Sequence, residues 1–194
     1  VEAVRVAREA VGPDVLIMMD TNCPWTVDEA IAIAEGVRPY DLHWFEEPVW
    51  PPEDFAGLAE VRRRGRVPVS AGENAMSLKH FEQMFDAGAV DVAQPSVTKV
   101  GGITEFLKVA TLADAAGVTL MPHSPYFGPG FLATLQIAAA RGQPGAMIER
   151  YHMDLEASLF GKLIDPVDGA FAVPQAPGLG CDPDPDVLKT YGAA

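Results

Sequence analysis

Asp20, Glu46, Glu73, Ser96, His123 and Glu149 follow one another at intervals of 26, 27, 23, 27 and 26 residues, and five of the six can gain or lose a proton. Each stands at the end of a short, largely apolar run: "DVLIMMD", "DLHWFEE", "VPVSAGE", "AVDVAQPS", "VTLMPHS" and "AMIER". Three carboxylates gathered in one partly buried place repel each other, so either some stay protonated or a cation neutralises them. All-oxygen ligation points to a hard divalent ion. Few carboxylates, with positions left for water and substrate oxygens, suit Mg²⁺ better than Ca²⁺, which takes more ligands. Asp20, Glu46 and Glu73 are therefore the candidate metal ligands. Taken singly, each could instead cap the next helix, as Asp20 before "TNCPWT" could; the period shared by all three favours the ion. Glu47 alternates to the opposite face from Glu46 and is expected to support the site from outside. His123 is the candidate acid–base group, because a neutral imidazole titrates near working pH. His43 lies inside a strand and His80 and His152 lie outside the series, so all three read as structural.

A repeated pair of elements must position these residues. "VEAVRVAREAVG" sets Val1, Val4, Ala7 and Val11 at helical spacing, stops at Gly12 and gives way to the strand "DVLIMMD". The pair recurs as "TVDEAIAIAEGV", "DFAGLAEVRRR", "LKHFEQMFDAG", "ITEFLKVATLADAAG" and "GFLATLQIAAARG", each followed by the next apolar run. Strands apolar on both sides of the pleat are parallel strands covered by helices, which makes the class α/β. A near-constant period of strand, loop and helix predicts a (β/α) barrel, whose strand tips converge on one mouth. A doubly wound sheet would carry a glycine-rich phosphate loop after its first strand, and the "KVGG" of Lys99 to Gly102 has only half of such a pattern. The expected fold is an incomplete TIM-type barrel with about six of eight strands over residues 1–151. Residues 152–194 are expected to form a C-terminal tail that caps the barrel or contacts a missing domain, with a short hairpin in "KLIDPVDGAFAVP". Two strands and a capping domain are expected upstream of Val1, which would leave an unpaired edge and apolar surface on the "DVLIMMD" side.

The chain has 194 residues and a formal net charge of −13. That balance disfavours nucleic acid or an anionic membrane as the main partner. There is no basic-then-apolar leader in these residues and no apolar run of about 18, so neither secretion nor membrane spanning is expected. Cys23 and Cys181 form no disulfide or zinc spacing, which fits a reducing cytoplasm. "RRRGR" at Arg62 to Arg66 ends a helix and is expected to face solvent. In "HSPYFGPGFLATLQ", Tyr126 and Phe127 either wall the substrate site or pack the loop.

"MMDTN", "WFEEP", "SAGEN", "QPSVTKVGG", "MPHS" and "PGLG", in this order through nearly the whole chain, resemble the barrel domain of the enolase superfamily, in its mandelate racemase and muconate lactonizing enzyme group. The resemblance implies that Asp20, Glu46 and Glu73 bind Mg²⁺ and that Asn22 and Lys99 are polar groups near metal and substrate. It makes His123 the base after the seventh strand and Glu149 a group that hydrogen-bonds the substrate carboxylate. His123, Glu149 and Lys99 are thus the candidate catalytic residues, with Asn22, Ser96 and Tyr126 as candidate substrate contacts. In such enzymes the metal holds a substrate carboxylate and steadies the enediolate left when the adjacent carbon loses a proton. The implied partner is a small carboxylate-containing substrate, and the full-length protein is expected to be a homo-oligomer.

Ser96 departs from the pattern. Racemase-like members place an aspartate there, paired with the histidine, and cycloisomerase-like members a lysine. A serine can fix the ring but adds no charge. That moves His123 toward the acid that expels a leaving hydroxide, so dehydration of a sugar-derived hydroxy acid leads. Racemase, epimerase or cycloisomerase activity follows, then a member that binds metal and ligand without turnover, then a barrel aldolase using Lys99 as a Schiff base.

Overall fold

The computed structural model describes residues 1–151 and 153–192, so His152 lies outside the described residues. Helices and strands alternate as the periodicity demands: α1 (Glu2–Val11), β1 (Met18–Asp20), α2 (Val27–Val37), β2 (Trp44–Glu46), α3 (Phe55–Gly65), β3 (Val69–Ala71), α4 (Leu78–Asp86), β4 (Val92–Ala93), α5 (Ile103–Ala116), β5 (Thr119–Leu120) and α6 (Pro129–Arg141). Local chemistry sets several of the boundaries. Thr26 and Glu29 form a reciprocal capping box at the start of α2, the Asp54 carboxylate accepts from Gly57 N at 2.8 Å at the start of α3, and Ser77 caps α4.

The five strands form one parallel sheet in the order β1-β2-β3-β4-β5. Side chains alternate across it. Phe45, Val69, Ala93 and Leu120 join the helix-facing core with Leu58, Phe81 and Phe106, whereas Trp44, Val92 and Met121 pack with Met18 and Met147 on the other face. Register pairs Met18 with Trp44 and Asp20 with Glu46, so the second face carries an apolar row and, one step on, an acidic one.

Two features differ from the sequence expectations. The sixth strand, expected over "AMIER", has no ladder pairing. Arg150 is drawn toward the tail instead, where its Nε donates to Ile164 O and its guanidinium pairs with Asp165. The hairpin in "KLIDPVDGAFAVP" shrinks to one antiparallel bridge, Val167 to Ala170, around Asp168 and Gly169, both at the positive φ that a tight Asp-Gly turn requires. The apolar surface expected on the "DVLIMMD" side is present: Val4 of α1 is buried, but Val1 and Val11 are exposed, as are Val15 and Leu16 beside β1. From residue 153 onward the chain packs on α6, with Phe160 and Ile164 against Phe131, Leu132 and Leu135, before the short helix α7 (Pro185–Tyr191). No described helix is long and apolar enough to cross a membrane.

Among the described residues β1 has a neighbour on one side only, and an edge strand flanked by exposed apolar side chains is a template for association. The chain of residues 1–194, prepared alone, is expected to self-associate or to unfold over a broad denaturant range. A monomer by sedimentation that unfolds in one sharp transition would contradict this.

Candidate active site

The acidic row begins with Asp20 and Glu46 on adjacent strands. Asp20 is exposed, and its two oxygens accept from Asn22 N at 3.1 Å and Asn22 Nδ2 at 3.2 Å. Asn22, expected to contact substrate, here orients the Asp20 carboxylate. Glu46 is 8 % exposed and accepts from Trp44 Nε1 at 2.9 Å. Burial pushes the Glu46 carboxyl up to about 7; hydrogen bonding by Gln94 and Trp44 offsets part of this, and the nearby charges of Asp20 and Glu73 add to it. The same cause raises Glu47, which is only 2 % exposed and sits on the opposite side of the chain. Asn74 Nδ2 donates to both Glu47 oxygens at 3.0 and 2.8 Å, and Cys23 Sγ lies 3.4 Å from the second. Glu47 therefore holds the residue that follows Glu73.

Glu73 meets two nitrogen groups of the mouth. Its Oε2 lies 3.0 Å from His123 Nδ1 and its Oε1 3.5 Å from Lys99 Nζ. Burial raises the Glu73 carboxyl, but His123 and Lys99 outweigh it and the net shift is downward. Glu149 Oε2 lies 3.8 Å from His123 Nδ1 and accepts from Ser124 N at 3.3 Å. Partial burial raises Glu149, with His123 opposing. Ser96, wholly buried, is 2.9 Å from Thr98 Oγ1 and 2.5 Å from Tyr126 Oη, and the Tyr126 ring meets the His123 ring edge-on at 5.9 Å.

A cavity of about 290 Å³ opens on this row, lined by Met18, Trp44, Met121 and Met147 together with Asp20, Glu46, Gln94 and Glu149. Among the described residues, Glu46, Glu73 and His123 bring one ligand atom each within 4.8 Å of one another. Asp20 is outside that group, because its oxygens are turned to Asn22, yet it shares the cavity and a register row with Glu46. The donor set fits a hard divalent cation: among the described residues, Asp20, Glu46, Glu73 and Glu149 gather with Lys99 and His123 as their nitrogen partners, and Glu46 is buried without either. Sequence reasoning missed Trp44, Gln94, Asn74 and Cys23. Asn74 stands beside Glu73 in "SAGEN", and Trp44 and Gln94 follow from period-two alternation back from the strand tips, so only the Cys23 contact, a tertiary one, had no local signal.

The comparisons with known proteins agree with one another. Residues 1–187 match the profile of the family described as enolase C-terminal domain-like. D-galactarolactone cycloisomerase of Agrobacterium fabrum is 34% identical over 97% of this chain and 52% of its own length. Arabinonate dehydratase of Saccharolobus solfataricus is 31% identical over 98% of this chain and 51% of its own length. The crystal structure of a mandelate racemase/muconate lactonizing protein from Paracoccus denitrificans complexed with magnesium superposes with a TM-score of 0.84 at 32% identity, covering 97% of this chain and 51% of that one. The chain spans about half the length of the curated relatives it matches.

Proposed function

The chain belongs to the enolase C-terminal domain-like family, and from that premise we propose that it is the catalytic half of a Mg²⁺-dependent lyase that dehydrates a sugar-derived hydroxy acid. The observation that carries the reading is the acidic row of Asp20 and Glu46 with Glu73 and His123 beside it. Mg²⁺ held by Asp20, Glu46 and Glu73 would supply the positive charge that makes a proton next to a carboxylate removable.

The chain's own residues do the rest. Glu73 holds His123 through Nδ1, which leaves Nε2 as the nitrogen that exchanges a proton with substrate. In dehydration the C–H and C–O bonds of adjacent carbons break. His123 delivers a proton to the departing hydroxide, water leaves, and the enol product tautomerises to a keto acid. The first proton goes to a base other than Ser96, which stands uncharged where a partner for the histidine would be. Lys99, 3.5 Å from Glu73, tempers the negative charge of the mouth. Glu149 lines the cavity and takes, in this proposal, the place of a hydrogen-bond partner for the substrate carboxylate. Trp44, Met121 and Met147 wall the cavity against water. The 34% identity to a cycloisomerase favours cycloisomerisation as the second reading. Residues 1–151 are the catalytic part in this proposal and 152–194 the cap. A cytoplasmic location is supported by the free thiols of Cys23 and Cys181.

The test incubates the full-length protein with Mg²⁺ and a panel of aldonates that includes arabinonate, in deuterated water. A keto acid is the expected product. Deuterium uptake at the carbon next to the carboxylate without a new product would move the assignment to racemisation, and neither signal would leave a protein that binds metal and ligand only.

A further inference from the structure

Each of the three strands that carry a candidate ligand also delivers, just past that ligand, one member of a buried contact behind the acidic row: Cys23 after Asp20, Glu47 after Glu46 and Asn74 after Glu73. Glu47 stands at its centre. Its two carboxylate oxygens accept from Asn74 Nδ2 at 3.0 and 2.8 Å, and the second also accepts from Cys23 Sγ at 3.4 Å. Its carbonyl oxygen accepts from Cys23 N at 2.7 Å and from Thr21 Oγ1 at 3.0 Å, and its own N–H donates to Ser70 O on β3 at 3.0 Å. One residue thus joins the ends of three strands.

The contact is held against two unfavourable terms. Glu47 is 2 % exposed and has no cationic partner among the described residues, although a buried carboxylate without one is destabilising. Asn22, Cys23 and Glu47 take φ of 51°, 54° and 42°, a region that residues other than glycine enter only where the surroundings hold them. Such features cluster at functional sites. What the contact can do follows from the position of Glu73. Asp20 and Glu46 are paired rungs of the β1–β2 ladder, whereas Glu73 lies two residues beyond Ala71, past the end of β3. The sheet therefore sets the first two carboxylates and leaves the third to its turn. That turn is closed by Ala75 N, which donates to Gly72 O at 3.1 Å, and Asn74 is its other central residue, so the Asn74 amide ties the turn to Glu47.

We propose that Cys23, Glu47 and Asn74 form a clamp that fixes Glu73 relative to Asp20 and Glu46, and that this clamp makes the site select Mg²⁺ over the larger Ca²⁺. The proposal rests on the reading of those three carboxylates as metal ligands and names the positioning residues behind them. Mg²⁺ demands near-octahedral oxygens at about 2.0–2.1 Å, whereas Ca²⁺ accepts looser arrangements at about 2.3–2.6 Å. A Glu73 released from the clamp still serves the larger ion and serves the smaller one poorly.

The test is calorimetric titration of the full-length protein with Mg²⁺ and, separately, with Ca²⁺. Asn74→Ala removes both hydrogen bonds to Glu47 and leaves every carboxylate in place. Mg²⁺ affinity is expected to fall roughly 10–100-fold, as for other residues that support a ligand from behind, while Ca²⁺ affinity falls by less than about 3-fold, its coordination being the more tolerant. Glu47→Gln decides by the same Mg²⁺-to-Ca²⁺ ratio if Asn74→Ala fails to fold, because the charge it removes is felt alike by two divalent ions. An unchanged ratio overturns the inference, whether both affinities stay at the parent's values or fall together; in the second case the trio is a packing contact. Glu46→Gln in the same titrations separates this inference from the reading beneath it: if that variant binds Mg²⁺ as the parent does, the ligand assignment itself fails and the clamp has nothing to position.

Discussion

Glu46→Gln is expected to lower Mg²⁺ affinity by roughly 100-fold or more, beyond the 10–100-fold typical of residues that only support a ligand. The amide keeps the shape and can still accept from Trp44 Nε1, so the inner row should stay packed, but it carries no charge toward a cation. Two further readouts distinguish a ligand from a structural carboxyl. Because burial raises the Glu46 carboxyl to about 7, the folded metal-free state holds that proton more tightly than the unfolded chain. Its contribution to stability is present in full below the unfolded pKa, near 4.5, and is lost as pH rises through about 7. Metal competes with the same proton, so affinity for Mg²⁺ should weaken as pH falls below about 7 in the parent. In Glu46→Gln the metal-free protein should lose less stability between pH 5 and pH 8, and the stabilisation that Mg²⁺ gives the parent should largely disappear. The measurements are calorimetric Mg²⁺ titration and thermal unfolding at several pH values with and without metal. Parent-like affinity in the variant would defeat the ligand assignment.

His123→Asn in the full-length protein is expected to cut turnover on the responsive aldonate by about 10²–10⁴-fold, the usual worth of a positioned general acid or base. The variant also decides an ambiguity in the geometry. His123 belongs to the tight group with Glu46 and Glu73, and an imidazole there could be read as a metal ligand. As the proton donor it should be dispensable for metal binding, so Mg²⁺ affinity should change by less than about 3-fold while turnover collapses. Removing the imidazole also takes from Glu73 the nearer of its two nitrogen partners, Lys99 at 3.5 Å remaining. A loss of metal comparable to that in Glu46→Gln would place His123 among the ligands and leave the proton transfer without its donor.

The parts legible in the sequence were those that repeat. A period near 26 residues located every helix from α1 to α6, and all five sheet strands, because burying a helix on a parallel sheet forces the same short apolar run and the same return each time. Strand alternation also separated Glu46 from Glu47 correctly: one faces the cavity, and the other is held from behind by Asn74 and Cys23. What escaped was set by contacts distant in sequence. Residues 96 and 126 are 30 positions apart, and nothing in either stretch foretells that their hydroxyls meet. "AMIER" has the composition of a strand, but Arg150 finds Ile164 and Asp165 and draws its backbone away from β5. Asn22, which the resemblance places near metal and substrate, also orients Asp20 two residues before it, a contact that the strand period does not reveal.

Asp20 and Glu46 are opposite rungs of one parallel ladder, so the distance between their backbones is dictated by the peptide repeat and owes nothing to the segments that join the strands. The stretch from His123 to Gly130, by contrast, is loop and the first turn of a helix. Substitutions from Ser124 to Gly130 can therefore shift the backbone there while the separation of the two carboxylates beneath stays put.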